Sequence, residues 1–268
     1  MSTYTPTKVL ITVMTYPHPS INYRELVCVA GITEDLQWVR LYPIDYRYMP
    51  QHQQFHKYQW IEVGLANRGH GNDNRKESRK PQLDSIHIIG ERLSPKNNWA
   101  QRRLIIDKMP HHTVNQLSAL YEAEHVSLGI VKPKKVLDLE ISNADSEWKP
   151  EWTAMFTQMR LFGPPQKPLR KLPYKFQYVF ECEDSTKPHH SMIEDWELGV
   201  LFLNESARLG SDKEAAESVR QKYLTEMCRE DKDTRFFMGT TFPYNTWLVI
   251  GVFWPGRIPA TPQQNLFQ

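Results

Sequence analysis

The side chains best suited to chemistry are concentrated between residues 182 and 195. A thiol and two imidazoles are ligand types that zinc prefers, and neighbouring carboxylates can hold Mg²⁺ for the hydrolysis of a phosphodiester. The possible zinc ligands are Cys182, His189 and His190, and the possible magnesium ligands are Asp184, Glu194 and Asp195. A metal-dependent nuclease built from this segment, with Mg or Zn as its cofactor, is therefore one hypothesis for the function.

The spacing of these residues does not favour that hypothesis. Only one cysteine is present locally, adjacent histidines on a loop point in different directions, and the lysine that usually accompanies such carboxylates is missing at the expected spacing. Glu194 follows Ser191 by three residues, as in a capping box, and Asp195 in the first turn of the predicted helix would complement its dipole. The sequence thus predicts no catalytic residue, no metal and no cofactor, and the nuclease remains the alternative.

Motifs of other enzyme classes are missing from the sequence. Gly69-His70-Gly71 does not match the phosphate-binding loop GxxxxGK[ST], and no GxSxG nucleophile elbow occurs. The cysteines have no base placed beside them, so nucleophilic hydrolysis is equally unsupported. The sequence therefore does not indicate an enzyme.

Cations and aromatic rings alternate along the first third of the chain. Stacking of a base on an aromatic ring is worth about 1 to 3 kcal/mol, and contacts of cations with phosphates add a salt-dependent contribution. The loop from 66 to 81 carries five cations and two acids, and the turn at 132–135 is also basic. The predicted nucleic-acid interface comprises Trp38, Arg40, Tyr42, Arg47, Arg68, Arg75, Lys76, Arg79, Lys80, Lys134 and Lys135. The alternative is a solvated loop beside aromatic rings that fill a small barrel.

Composition limits the class of protein. A chain of 268 residues with 40% hydrophobic residues can form two lobes, and a net charge of +2 creates no global field that would attract a polyanion. The three cysteines are odd in number and far apart, which excludes a disulfide framework. No signal segment and no run of roughly 20 apolar residues is present. We therefore expect a soluble, cytoplasmic protein without a membrane partner.

Short strands separated by turns dominate the predicted elements. Five apolar or alternating segments between residues 8 and 92 predict a small antiparallel β-barrel, either OB-like or PUA-like. An aromatic strand, two helices (191–209 and about 212–230) and a hairpin predict a C-terminal α+β lobe with an antiparallel sheet. The predicted fold class is α+β. The predicted boundaries are 1–141 for the barrel-like lobe with a helical insertion, 142–173 for a proline-rich basic connection, 174–257 for the C-terminal lobe and 258–268 for a tail.

Longer segments carry a resemblance to a known family. VCVAGITEDLQWVRLYPIDYR, SIHIIGER, SLGIVKPKKVLDLEI, YKFQYVFECED…HHSMIEDWELG and FFMGTTFPYNTWLVIGVFWP are similar to a prokaryotic family whose members tend to be encoded among mobile elements and anti-phage defence or restriction genes. The portion CVAGI…WVRLYP also resembles, more loosely, proteins with paired oligonucleotide-binding barrels. The resemblance supplies no catalytic residues.

These observations combine into one predicted function and two alternatives. The prediction is a nucleic-acid-binding accessory subunit of a defence or mobile-element system, which binds DNA rather than RNA and acts beside a partner such as a nuclease or helicase. The alternatives are the metal-dependent nuclease and a protein–protein scaffold subunit.

Overall fold

An almost continuous apolar strand forms the centre of the first lobe, because a strand buried on both faces does not need to alternate. The computed structural model describes residues 4–20, 24–67, 69, 71–157, 168–241 and 245–258, without the side chains of 24 and 155–157. The strands of this lobe are β1 (Tyr4–Met14), β2 (His18–Ser20), β3 (Arg24–Leu26), β4 (Val29–Thr33), β5 (Trp38–Leu41), β6 (Gln59–Ala66), β7 (Ser78–Arg79) and β8 (Pro81–Ile89). Six of them form a sheet in the order β7-β5-β4-β1-β6-β8, while β2 pairs with β3.

The first sheet curves back on itself. Its two edge strands, β7 and β8, are consecutive in the chain, so both edges must meet at Lys80. The ladder between β5 and β7 is parallel and the other ladders are antiparallel. No ladder joins β7 to β8 in the described part of the chain, so the closed OB-like or PUA-like barrel that we predicted is not found. The mixed α+β class, with mostly sheet and few helices, is confirmed.

The second lobe contains two sheets and most of the helices. Its elements are α1 (Lys96–Ile106), β9 (His111–His112), α2 (Val114–Glu124), β10 (Leu128–Val131), β11 (Lys135–Asn143), α3 (Pro150–Thr157), β12 (Tyr174–Glu181), β13 (His189–Met192), α4 (Trp196–Leu209), α5 (Asp212–Arg220), β14 (Arg235–Thr240) and β15 (Trp247–Phe253). One sheet has the order β15-β14-β10-β9 and the other has the order β11-β12-β13. A π-helical turn at Gln221–Glu226 follows α5.

Strand pairing moves the boundary between the lobes. The predicted first lobe extended to residue 141, but β10 pairs with β14 and β11 pairs with β12, so residues 128–143 belong to the sheets of the second lobe. The strand character of these segments is visible in the sequence, whereas their partners lie far along the chain and are selected by tertiary packing. Residues 158–167 of the predicted proline-rich connection and 259–268 of the predicted tail lie outside the described residues.

The start of α4 also differs from the prediction. The capping box of Ser191 and Glu194 does not form, because residues 189–192 form β13 and pair with β12. Asp195 is the N-cap instead, and its carboxylate accepts a hydrogen bond of 3.2 Å from the backbone N–H of Glu197. The carboxylate of Glu194 is thereby free to serve another contact.

Apolar packing joins the two lobes. The aromatic face predicted on β12 is core, since Phe176, Tyr178 and Phe180 are all buried. A separate apolar cluster unites Ile32 of the first lobe with Phe237 and other residues of the second. The lobes are therefore held at a fixed orientation by shared core. None of the described helices combines the length and the apolar composition needed to cross a membrane.

Candidate functional site

A cavity of about 540 Å³ lies between the two lobes. Small-molecule sites have volumes of about 300 to 1,000 Å³ and combine an apolar wall with a few fixed polar groups. The first lobe contributes mostly polar side chains, and the second lobe contributes the apolar wall formed by Met192, Leu248 and Ile250. We call this the interlobe cavity, and its lining also includes Thr15, His18, Cys28, Arg40, Tyr42, Asp73, Arg75, Glu194 and Thr240.

Arg40 supplies a guanidinium group with unused donors. Its backbone pairs with Ala30 in β4 and with Ser78 in β7, which places its side chain beside the loop that follows β6. Nη2 donates to the carbonyl oxygen of Ser127 at 3.0 Å and to its hydroxyl at 3.2 Å. No described residue accepts a hydrogen bond from Nε or Nη1, although the side chain is only 3% exposed. Arg40 is therefore an anchored donor with capacity for a ligand.

Burial lowers the pKa of Arg40 to about 10, and the positive charge of Arg75 acts in the same direction. The group is still protonated at neutral pH. Among the described carboxylates, none forms an ion pair with Arg40, because Glu77 reaches it only through Ser127. The oxygens of Glu77 accept from the N–H of Ser127 at 3.0 and 3.1 Å and from its hydroxyl at 2.7 Å. An anionic group of a ligand could therefore be the first direct counter-charge of Arg40.

Arg75 docks the basic loop against the second lobe. Its Nε and Nη2 bind the carboxylate of Asp73 at 2.8 and 2.7 Å, and its Nη1 donates to the carbonyl oxygen of Thr240 at 3.0 Å. Burial raises the pKa of Asp73, but the hydrogen bonds from Arg75 and Ser78 outweigh it and lower the pKa overall. The hydroxyl of Thr240 is buried on the cavity wall and has no partner among the described residues. A second unused polar group thus lies at this site.

His18 and Glu194 connect the lobes at another part of the wall. Nε2 of His18 lies 2.9 Å from Oε2 of Glu194. Burial lowers the pKa of His18, but the hydrogen bond and the negative charge of Glu194 outweigh that effect and raise the pKa overall. The histidine side chain is 56% exposed, so this pair is accessible to solvent. It adds a titratable group to the cavity.

Cys28 and Thr15 complete the polar wall. The two residues exchange hydrogen bonds: the N–H of Thr15 donates to the carbonyl oxygen of Cys28 at 2.9 Å, and the N–H of Cys28 donates to the hydroxyl of Thr15 at 3.1 Å. Cys28 is half-buried and lines the cavity. Its thiol can therefore report on whether the cavity is occupied.

Three of the predicted nucleic-acid-binding residues, Arg40, Tyr42 and Arg75, meet at this cavity. We expected them on an open surface, but the two arginines are buried because the loop folds back onto β5 and β14. Trp38 is also not a free ring, since it packs edge-on against Phe237 with 5.9 Å between ring centroids. The expected open face of exposed rings is therefore replaced by a cavity wall.

The other predicted cations are dispersed, and most have partners. Arg47 lies 2.9 Å from Glu25, Lys76 pairs with Glu124, and Lys134 lies 3.9 Å from Glu183. Nη1 of Arg79 donates to two carbonyl oxygens of its own loop. Lys80 and Lys135 are exposed, and Arg68 lies outside the described residues.

The carboxylates of the alternative nuclease contact different partners. Asp184 accepts from the hydroxyl of Thr113, Glu194 binds His18, and Asp195 binds Lys57 at 3.1 Å. Each of the three carboxylates thus binds a different partner, and together they do not form a shared metal site.

The alternative metal ligands are likewise separate. Cys182 is buried, and burial raises the pKa of its thiol. Nε2 of His189 is buried without a partner among the described residues, and burial lowers the pKa of this histidine. His190 lies 3.5 Å from Glu140. Within the ranges that the structure describes, no group of three or more His, Cys, Asp and Glu side chains could hold a metal ion.

Several residues of the cavity were not predicted from the sequence. Thr15, His18 and Cys28 lie more than 200 residues from Thr240, and no motif connects them. A partial signal existed in the alternation of Asp73, Arg75 and Glu77, which is compatible with internal ion pairing. The sequence alone gave no means of identifying Ser127 as the shared partner of Arg40 and Glu77.

The chain belongs to the family described as Domain of unknown function (DUF8757), which matches residues 110–268. Residues 5–108 match a second family, Domain of unknown function (DUF8758). The DUF8757 match contains residues 128–143, which strand pairing also assigns to the second lobe, while α1 falls within the DUF8758 match. The sequence has no significant match among curated proteins.

Weak structural likenesses cover nearly the full chain. A p204 HINb domain is 10% identical, with 96% of this chain and 98% of that chain covered and a TM-score of 0.32. A murine DNA-binding protein bound with double-stranded DNA is 9% identical, with 97% and 99% covered and a TM-score of 0.32. A tetrameric p202 HIN2 structure is 10% identical, with 96% of each chain covered and a TM-score of 0.31. TM-scores this low do not establish a shared fold, so the likenesses carry no weight for function.

Proposed function

We propose that the chain binds a phosphate-bearing nucleotide unit, either as a free nucleotide or as part of a nucleic acid, in the cavity between the lobes. The observation that carries this proposal is the guanidinium of Arg40, which is fixed by Ser127 and has two nitrogens with no acceptor among the residues that the structure describes. Arginine suits phosphate because its planar fork of N–H donors matches the oxygens and keeps its charge when it is desolvated. The phosphate would lie beside Arg40.

The opposite wall supports the nucleotide chemistry. Met192, Leu248 and Ile250 offer apolar surface, and the ring of Tyr42 belongs to the same cavity. A flat base can be buried against such a wall, while the hydroxyl of Thr240 offers a hydrogen bond. The combination of an apolar wall with one anchored cation is typical of sites for small anionic ligands that contain a ring.

The finer role is carried by the sequence resemblance. An accessory subunit of a defence or mobile-element system, with a preference for DNA and a nuclease or helicase as partner, remains our prediction. The cavity adds a concrete requirement to this prediction, since a strand of nucleic acid must present one nucleotide to the gap between the lobes.

Titration calorimetry with the full chain tests the proposal. The ligands are nucleoside monophosphates, a single-stranded DNA, a single-stranded RNA and a duplex DNA. Arg40→Met is expected to weaken binding by about 10- to 100-fold, because a hydrogen bond to a charged group is worth about 1.5 to 3 kcal/mol. Arg208→Met is the control, since Arg208 is exposed and pairs with Glu205 on α4. Arg40→Lys keeps the charge and separates loss of contact from loss of folding.

The arms of this experiment distinguish the sources of the nucleotide. Tight binding of monophosphates identifies a free-nucleotide site, whereas binding of strands alone identifies a nucleic-acid site. If Arg40→Met and the unmodified chain bind with equal affinity, the ligand does not bind beside Arg40 in this cavity. Absence of binding to every ligand at low salt would instead support the scaffold alternative, and cleavage of plasmid DNA with magnesium or manganese would support the nuclease.

A further inference from the structure

A second cavity, of about 700 Å³, lies at the opposite end of β14 from the interlobe cavity. Arg235 begins this strand and lines the second cavity, while Thr240 ends the strand and lines the first. Five residues of antiparallel strand span about 17 Å, so the two cavities are separate places on the molecule. The residues of the second cavity play no part in the proposed nucleotide site.

Cations dominate the lining of this second cavity. We call it the basic cleft, formed by Arg103, Lys132, Lys134, Arg235 and Arg257. Three carboxylates, those of Asp107, Glu183 and Asp233, also line it. The lining therefore carries an excess of two positive charges.

The central carboxylate of the cleft is paired with cations. The oxygens of Asp233 lie 2.5 Å from Nη2 of Arg235 and 2.9 Å from Nζ of Lys132. Burial raises the pKa of Asp233, but the hydrogen bonds and charges of Arg235 and Lys132 outweigh it and hold the pKa well below its usual range. This carboxylate therefore stays ionised and fixes the cations in place, and it cannot neutralise all of them.

Two arginines form a rigid floor for the cleft. Arg103 is 9% exposed and Arg235 is 5% exposed, and both bind Asp107 as well as Asp233. The Nε–H of Arg235 is buried without a partner among the described residues. Lys132 and Lys134 are more than half exposed and stand at the rim. Fixed guanidinium groups below and exposed ammonium groups above are suited to several phosphates at once.

The two histidines of the cleft add hydrogen-bonding groups without charge. Burial lowers the pKa of His111, and the positive charges of Arg235 and Lys132 lower it further. Burial also lowers the pKa of His112. Both imidazoles are therefore neutral at neutral pH.

We propose that the basic cleft binds consecutive phosphate groups of a polyanion. The shared chemistry is the phosphate chain, which can come from a free polyphosphate or from the backbone of a nucleic acid. Binding is expected to weaken with salt, because each cation that meets a phosphate releases counterions. The proposal does not depend on the interlobe cavity, because the two cavities are lined by different residues.

Fluorescence anisotropy and calorimetry with the full chain test the cleft, using inorganic tripolyphosphate and a labelled single-stranded oligonucleotide as probes. The test variant is Lys132→Ala/Lys134→Ala/Arg257→Ala, in which three exposed side chains are shortened. The control variant, Lys149→Ala/Lys175→Ala/Lys213→Ala, removes the same charge from exposed positions elsewhere. We expect the negative slope of log affinity against log salt for the oligonucleotide to become less steep by about 2 in the test variant, since each phosphate contact on a single strand contributes about 0.7.

Each outcome decides the proposal. Loss of tripolyphosphate and oligonucleotide binding in the test variant supports a general phosphate site, and loss of oligonucleotide binding alone supports a nucleic-acid backbone. Equal affinity of the test and control variants, or no binding of either probe to the unmodified chain at low salt, overturns it. Arg40→Met should leave tripolyphosphate binding in the cleft unchanged. Loss of nucleotide binding in that variant can therefore be distinguished from loss of phosphate binding in the cleft.

Discussion

Nζ of Lys57 lies 3.1 Å from Oδ1 of Asp195, and this ion pair joins the two lobes inside the protein. Both side chains are at most 3% exposed. The same ammonium group lies 3.0 Å from Oε2 of Glu197, and the hydroxyl of Tyr223 lies 3.3 Å from the second oxygen of Asp195. Burial lowers the pKa of Lys57, but the charges of Asp195 and Glu197 outweigh it and raise the pKa overall. One cation of the first lobe thus fixes the start of α4.

Lys57→Met is expected to lower the free energy of unfolding by about 3 to 5 kcal/mol, because it leaves the buried carboxylate of Asp195 without its counter-charge. Urea denaturation monitored by tryptophan fluorescence measures the change. Adding Asp195→Asn should recover part of the loss, since the uncompensated charge disappears. Lys8→Met, which removes an exposed pair with Glu34, is the control and should cost less than about 1 kcal/mol. Equal effects of the Lys57 and Lys8 variants would contradict this account.

Gly199 of α4 lies against Tyr16 of the first lobe. A Cβ atom built on Gly199 would lie 2.1 Å from Cδ2 of Tyr16, whose hydroxyl is held by the carbonyl oxygen of Arg170. We expect Gly199→Ala to lower the free energy of unfolding by about 1 to 3 kcal/mol through overpacking. Val200→Ala, at the adjacent and more exposed position of the same helix, is the control. A stabilised Gly199→Ala protein would show that Tyr16 moves aside without cost.

The contact between His18 and Glu194 predicts a pH dependence. The pKa of His18 is raised above its ordinary value of 6.5 in the folded protein. The stability from this pair is therefore fully present below about pH 6.5 and is lost as the pH rises through the higher folded pKa. NMR titration of the His18 ring should give the raised pKa, and Glu194→Gln should lower it. An unchanged pKa in that variant would show that Glu194 is not its cause.

Cys28 offers a direct readout of the interlobe cavity. Its thiol is half-buried on the cavity wall, whereas burial raises the pKa of Cys228 to about 12 and also raises the pKa of Cys182. At pH 8 we expect iodoacetamide to modify Cys28 first, because the thiolate is the reactive form. A bound nucleoside monophosphate should slow this modification at least severalfold, as measured by peptide mass spectrometry.

The two other cysteines are the internal control for that experiment. Their modification should remain slow with and without ligand. Binding detected by calorimetry without any protection of Cys28 would place the nucleotide outside the cavity. Thr240→Val, which removes a hydroxyl that has no partner in the described part of the chain, should weaken the protection while the modification rate of the free protein stays the same.

Local pattern identified many elements but misplaced their partners. The apolar run of β1 and the aromatic face of β12 were predicted because the pattern of a strand can be recognised from residues that are neighbours in the sequence. The start of α4 was misplaced at Ser191, since residues 189–192 pair with β12 and this tertiary ladder outweighs a local capping signal. We predicted β10 and β11 in the first lobe, but they pair with β14 and β12, which lie far along the chain in the second lobe.

The candidate site shows the same division. Arg40, Tyr42 and Arg75 were identified from residue type, but we expected them on a surface because the loop from 66 to 81 has almost no apolar residues. The burial of Arg75 depends on its ion pair with Asp73 and its hydrogen bond to the backbone of Thr240, and that of Arg40 depends on its hydrogen bonds to Ser127. A loop can be buried without apolar side chains when its charged groups are satisfied internally.

By itself, the sequence determined the α+β class, the absence of the common catalytic motifs and the segments that carry cations and rings. Only the tertiary structure decided which cations are paired with carboxylates and that Arg40, which forms no such pair among the described residues, lies between two lobes. The physical reason is that the availability of a charged group depends on its burial and its partners, and these are fixed by contacts between residues such as Arg40 and Ser127 that lie far apart in the chain.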